Sequence, residues 1–283
     1  MPELPEVEVL ARHLQRLLPD KKIRAVLVGR PKVILPDSPP HFRETLLGAT
    51  FTGLTRRGKY LLFQLRRTKT REPLTLLGHL GMTGRMYLAP QTIPLPKHAA
   101  VVLDLGREQF IYEDTRYFGR LTLDLTSVAS LGPEPLSADF QAESFGQALK
   151  RSQQAIKVKL LDQSLVAGVG NIYASEALFR ARIAPQKASN RLSAKQAQDL
   201  WVAIRAVLAE AIECGSTLPL NLAGGGEGGL FYFGLAAGAT DYYEERLQVY
   251  DRAGAPCLQC ERPIRRIVQA ARSTFFCPHC QRK

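Results

Sequence analysis

Cys257, Cys260, Cys277 and Cys280 form two Cys-x2-Cys pairs with sixteen residues between them. That spacing suits four thiolates around one tetrahedral zinc, so the end of the chain is expected to fold as a small metal-stapled module. Two disulfides fit less well, because the acidic start lacks the basic region of a signal peptide and Cys214 would be left over. A redox Cys-x-x-Cys occurring twice fits less well again. Four cysteines leave no open coordination position, so the predicted zinc ion is structural and single. His279 lies between two ligands without being needed as one, and Cys214 reads as a small apolar residue.

Charge points to the partner. The chain carries 38 Lys+Arg against 26 Asp+Glu, a formal net charge of +12. Such a field suits a polyanion, although many basic proteins bind nothing in particular. At 283 residues and 45% hydrophobic content the chain can build two domains with cores of their own. No apolar run reaches the length of a membrane span, and the expectation is a soluble cytoplasmic protein without a membrane partner.

The N-terminus reads Met1-Pro2-Glu3-Leu4-Pro5-Glu6. Removal of Met1 would leave Pro2 as a secondary amine beside two carboxylates. An α-amino group titrates at about 7.7–8.0 against about 10.4 for lysine, so far more of it is neutral near pH 7. Attack by a secondary amine on an aldehyde-like carbon gives an iminium, an electron sink for β-elimination. The plainer reading is also open: Pro2 as a small residue that permits methionine removal, Pro5 as a first-turn helix residue.

Val7, Leu10, Leu14 and Leu17 recur at helical spacing, predicting an amphipathic helix over residues 5–18. Seven short β runs follow, at 23–28, 50–54, 60–65, 74–80, 85–88, 99–105 and 109–113, separated by turn signals such as Gly58. The predicted architecture is α+β and multidomain. A catalytic β-sandwich with a packed N-terminal helix covers 1–130, and 131–150, with Gly132-Pro133-Glu134-Pro135, reads as a linker. A helical domain covers 151–243, with helical patterns over 155–182 and 193–214, and the zinc module covers 244–283. The glycine-rich run Gly224–Gly229 reads as a flexible connection, and Ile264 to Phe276 as an arginine-rich β-hairpin.

These motifs resemble one family. PELPEV at the N-terminus, HLGMTG at 79–84, DTRYFG at 114–119, LGPEPL at 131–136, AGVGNIYASEALF at 167–179 and the four-cysteine finger are together similar to formamidopyrimidine-DNA glycosylases, in the superfamily that also holds endonuclease VIII. The likeness runs over nearly the whole chain in the correct order. It implies a base-excision-repair glycosylase and AP lyase that removes oxidised purines (8-oxoguanine, formamidopyrimidines) from duplex DNA. It implies further a monomer, nucleoid-associated, that cleaves the strand by β,δ-elimination through a proline Schiff base.

The resemblance assigns roles residue by residue. Pro2 would attack C1′ of the damaged nucleotide, Glu3 would be the general acid/base, Glu6 would support the site, and Lys59 would contact phosphate and lesion. Met82, Arg116 and Phe118 match the set that fills the gap left by an extruded nucleotide. His98, Lys157, Asn171 and Arg272 match DNA contacts, the last on the zinc finger. Read alone, Lys59 would be a solvated turn residue, Met82 and Phe118 core or strand-face residues, and Gly168 and Gly170 a tight helical connection. Backbone N–H groups of a helix starting at Asn171 are suited to a phosphate. Arg265 and Arg266 read as general contributors to the positive field.

Two departures from the family pattern stand out. Lys97-His98-Ala99-Ala100 keeps only the first half of the usual Lys-His-Asp-His, and residues 221–243 are longer and richer in glycine than the family's lesion-capping loop. Both fall where the resemblance places contacts that set the damaged-base preference. The rival readings are an endonuclease VIII-like enzyme for oxidised pyrimidines, against which Leu4, Met82 and Phe118 count, and a non-catalytic damaged-DNA-binding paralogue, against which Pro2, Glu3, Glu6 and Lys59 count.

Overall fold

The computed structural model describes residues 2–68, 70–216 and 247–282. They fall into two compact units: residues 2 and 6–129, and residues 3–5, 130–216 and 247–282. The glycine-rich stretch and the rest of the expected lesion-capping loop lie outside the described residues.

In the first unit, helix α1 (Leu4–Leu17) turns Val7, Leu10 and Leu14 inward, each fully buried, as their i, i+3, i+7 spacing requires. Seven strands build most of a β-sandwich, and an eighth completes it: β1 (Ala25–Val28), β2 (Thr50–Arg57), β3 (Tyr60–Arg66), β4 (Pro73–His79), β5 (Arg85–Pro90), β6 (Ala99–Asp104), β7 (Glu108–Glu113) and β8 (Arg120–Thr122). They pair antiparallel in two sheets, ordered β1-β6-β7-β5 and β2-β3-β4-β8. Alternation sets the register. Leu61, Phe63 and Leu65 of β3 are buried while their neighbours are half-buried. Phe51 and Phe63 of one sheet meet Phe110 of the other with ring centroids 5.4 to 6.4 Å apart, which locks the sheets face to face. Truncating Phe63 to alanine is expected to cost about 3–5 kcal/mol.

Helix α2 (Pro39–Leu46) and strand β8 are among the elements of this unit not expected from sequence. Helix α2, with the Ser38 hydroxyl accepting the His41 N–H at its N-terminus, buries only Phe42 and Leu46, too few for a visible period. Strand β8 is three residues long. The unit ends with a single turn of helix, α3 (Thr126–Ala129).

The second unit is helical, with a hairpin at its end. The segment read as a linker is partly helix: α4 (Ala142–Lys150) buries Phe145 and Leu149 and packs on α7 (Ala194–Ser216). The helical pattern over 155–182 divides into α5 (Ile156–Leu160) and α6 (Asn171–Arg180), because Gly168, at φ +83°, lets the chain reverse between them. β9 (Arg265–Gln269) pairs with β10 (Arg272–Phe276) as the expected hairpin. No helix among the described residues is long and apolar enough to cross a membrane.

Candidate functional site

Glu3 belongs to the helical unit. Its carboxylate is 1% exposed and accepts the N–H groups of Ile172 (2.9 Å) and Tyr173 (3.3 Å), the first free amides of α6. Leu4 N–H donates to the Gly168 carbonyl at 3.1 Å and fixes the approach. The glycines are steric requirements. A Cβ at Gly170 would lie 2.3 Å from the Glu3 carboxyl carbon, and one at Gly168 2.6 Å from the Leu4 side chain. The phosphate role expected of these amides is therefore corrected: two of them are taken by a carboxylate of the chain itself.

The cationic partner sits at the same helix end. Lys157, 1% exposed, donates to Asn171 Oδ1 (2.7 Å) and Thr274 Oγ1 (3.4 Å), while Asn171 Nδ2 donates to the Ser273 carbonyl (2.9 Å). Burial lowers the Lys157 pKa to about 8, with nearby Arg272 lowering it further and Glu3 opposing. Thus Lys157, Asn171 and β10, which carries Arg272, are brought together. Tyr250, absent from the sequence reading, joins them through a hydrogen bond to Asn171, and its ring packs on Phe275 with centroids 5.1 Å apart. Tyr250 is held there by Glu176, whose buried carboxylate accepts the N–H groups of Gln248, Val249 and Tyr250 at 2.8 to 3.0 Å. Burial still leaves the Glu176 pKa raised.

Within the first unit, Pro2 and Glu6 are buried. Lys59 is only 9% exposed, contrary to a solvated turn residue. It occupies the two-residue loop between β2 and β3, where Gly58 supplies the positive φ of +58° that such a hairpin needs. Arg56 braces this loop by donating to the Gly58 carbonyl (3.0 Å) and to Glu8 Oε2 (2.6 Å). Neither Arg56 nor Glu8 was singled out from sequence, since each looks like an ordinary surface charge.

Met82 and Phe118 are 45% and 49% exposed, so they belong to neither core nor a covered strand face. Both lie on turns, and the Arg116 guanidinium stacks over the Phe118 ring at 4.7 Å. The two turns share one buried carboxylate. Asp114 accepts from Thr83 Oγ1 (2.6 Å), Arg116 N (3.1 Å), Gly119 N (2.9 Å) and the Tyr112 hydroxyl (3.3 Å). Tyr117, at φ +53°, is held by Arg30, which donates to its hydroxyl at 3.0 Å and lies over its ring, and by His98, whose Nδ1 is 3.2 Å from the same hydroxyl. His98 stands half-buried in the turn before β6, and Ala100 is core. Behind the Met82 turn, burial first and then Lys59 and Arg120 lower the His79 pKa to about 4, so its Nδ1 is free to accept the Gly81 N–H.

The four finger cysteines bring their sulfurs within 4.8 Å of one another, with Cys257–Cys280 at 3.9 Å and Cys260–Cys277 at 3.5 Å. Tetrahedral zinc with bonds of about 2.3 Å requires sulfurs about 3.8 Å apart, so the donor set fits.

Three family models match in succession: the formamidopyrimidine-DNA glycosylase N-terminal domain at residues 1–121, the formamidopyrimidine-DNA glycosylase H2TH domain at 131–219, and the zinc finger found in FPG and IleRS at 254–282. Together they define a DNA-repair glycosylase that carries a zinc finger. Formamidopyrimidine-DNA glycosylase of Desulfitobacterium hafniense is 40% identical, covering 99% of this chain and 100% of its own, and that of Herpetosiphon aurantiacus is 42% identical with the same coverage. Lactococcus lactis Fpg (MutM), in complex with DNA containing N7-benzyl-Fapy-dG, superposes over 100% of both chains with a TM-score of 0.86 at 34% identity. The chain belongs to the formamidopyrimidine-DNA glycosylase family.

Proposed function

We propose that this protein excises oxidised purines, 8-oxoguanine and formamidopyrimidines, from duplex DNA, and then cleaves the strand at the abasic site. It acts as a monomer on the DNA of the cytoplasmic nucleoid. The observation that carries the reading is the fixed Glu3 carboxylate. The residue directly after the candidate nucleophile is buried and oriented by two helix amides.

In the proposed reaction the Pro2 nitrogen, free once Met1 is removed, forms a bond to C1′. The glycosidic C–N bond breaks, and its electron pair leaves with the base. Glu3 passes a proton to the opening sugar ring, leaving an iminium between Pro2 and C1′. Loss of a C2′ proton expels the 3′ phosphate, and a second elimination expels the 5′ phosphate. Lys59 holds phosphate and lesion. Met82, Arg116 and Phe118 occupy the gap in the duplex, the apolar pair wedging between unstacked bases while Arg116 hydrogen-bonds the orphaned base. Lys157, Asn171, Arg272 and His98 grip the backbone as DNA contacts. The finger zinc, closed by four thiolates, supports the hairpin that carries Arg272 and takes no part in the chemistry.

Borohydride trapping on duplexes carrying 8-oxoguanine, with an oxidised pyrimidine for comparison, tests this directly. The expected result is a Pro2 crosslink favoured by 8-oxoguanine and lost in Pro2→Gly, with DNA binding retained. Wild-type cleavage by Pro2→Gly would overturn the nucleophile assignment.

A further inference from the structure

At the far end of β3 from Lys59, a cleft of ≈ 340 Å³ is lined by Lys22, Thr50, Arg66, Arg67, Thr68 and Arg71. Four of the six residues are cations and none is acidic. Strand pairing brings them together. Lys22 bridges to Thr50 and Thr50 pairs with Arg66, so the three side chains stand in one row across neighbouring strands. Arg67 and Arg71 come from the β3–β4 turn, where Arg71 takes φ +57° and donates its N–H to the Arg67 carbonyl. Lys22 and Thr68 both reach over Gly48.

Among the described residues, none of the four cations has an ion pair or a side-chain hydrogen bond. The nearby acids do not neutralise them: Glu44 lines the adjoining cleft with Arg67, and Glu72 follows in the turn, exposed. Like charges gathered without a counter-charge repel one another and are relieved by an anion. Guanidinium forks match phosphate oxygens two at a time, and the cleft lies in the size range of ligand sites, about 300–1,000 Å³, large enough for more than one phosphate.

We propose that this cleft is a second phosphate-binding site, engaged by the backbone of DNA beyond the segment that holds the lesion. The seven residue steps from Lys59 to Arg66 put it about 23 Å from Lys59 along β3, so only a duplex extending past the lesion contacts would reach it. The inference does not depend on the proposed reaction, since undamaged DNA and no cleavage are required to examine it.

The test uses the zinc-loaded full chain and its Arg66→Gln/Arg67→Gln/Arg71→Gln variant. Affinity is measured against salt on undamaged duplexes of about 12 and about 30 base pairs, and separately for tripolyphosphate. Each phosphate contact contributes a log–log slope of about 0.9. The expected result is a slope shallower by about 2–3 on the long duplex, unchanged on the short one, and restored by lysine at the same three positions, which excludes misfolding. Loss of tripolyphosphate binding with both duplexes unaffected would keep a phosphate site but overturn DNA as its occupant. Identical behaviour of wild type and variant towards every probe would overturn the proposal.

Discussion

The Thr83 hydroxyl donates a 2.6 Å hydrogen bond to Asp114, and through that bond the turn bearing Met82 is tied to the turn bearing Arg116 and Phe118. Asp114 is fully buried and also accepts from Arg116 N and Gly119 N, so a single carboxylate orders both exposed turns. Two apolar side chains can stay exposed in a fixed geometry only if something beneath them is rigid.

Asp114→Asn keeps the shape but replaces one acceptor oxygen with a donor facing Gly119 N–H. We expect a loss of about 2–3 kcal/mol in urea unfolding, together with weaker excision from duplexes. Unchanged stability would show that the turns are held by other contacts.

Gly170→Ala places a methyl group on the Glu3 carboxyl. Excision in single-turnover assays should fall by about tenfold or more, the equivalent of about 1.4 kcal/mol. Folding should be retained, because the φ of −128° at residue 170 is one alanine adopts and the clash falls on the Glu3 side chain. Full activity would mean that Glu3 need not sit where it does.

Lys157 gives a pH signature. Burial lowers its folded pKa to about 8 from the ordinary 10.5, so the free protein loses this positive charge as pH rises through about 8, while the unfolded chain keeps it. DNA affinity should therefore decline between about pH 7.5 and 9. Over the interval from 8 to 10.5 the unfolded state binds more protons, so this group's contribution to stability rises with pH. Fluorescence anisotropy on Lys157→Arg should show the decline abolished; a wild-type profile in that variant would assign it elsewhere.

Zinc removal by a chelator, or Cys277→Ser, should unfold the hairpin bearing Arg272 and weaken DNA binding by more than about tenfold. Circular dichroism and metal analysis read the first effect, titration with duplex the second. Undiminished affinity in protein shown to be metal-free would separate the finger from DNA binding.

Much of this architecture was legible because it rests on local period. The strands of the sandwich alternate, α1 repeats at 3.6, and the cysteines count themselves out. What escaped depends on partners far apart in sequence. Glu3 meets the amides of Ile172 and Tyr173 across 169 and 170 positions, and no pattern near either end announces it. Lys59 looked solvated because turns usually are, and its burial comes from tertiary packing. Helix α4 was masked by the proline-rich stretch before it and by having only Phe145 and Leu149 to bury. Met82 and Phe118 read locally as core because hydropathy carries no information about which apolar residues are held out on a turn.

Glu176 has a consequence for how such chains diversify. With three successive amides from Gln248 to Tyr250 moored to one carboxylate, the finger begins from a fixed origin whatever the preceding thirty positions, 217–246, contain. Insertions and deletions upstream are forgotten at that anchor. A change of length or composition in that stretch therefore leaves the hairpin beyond the anchor where it stands.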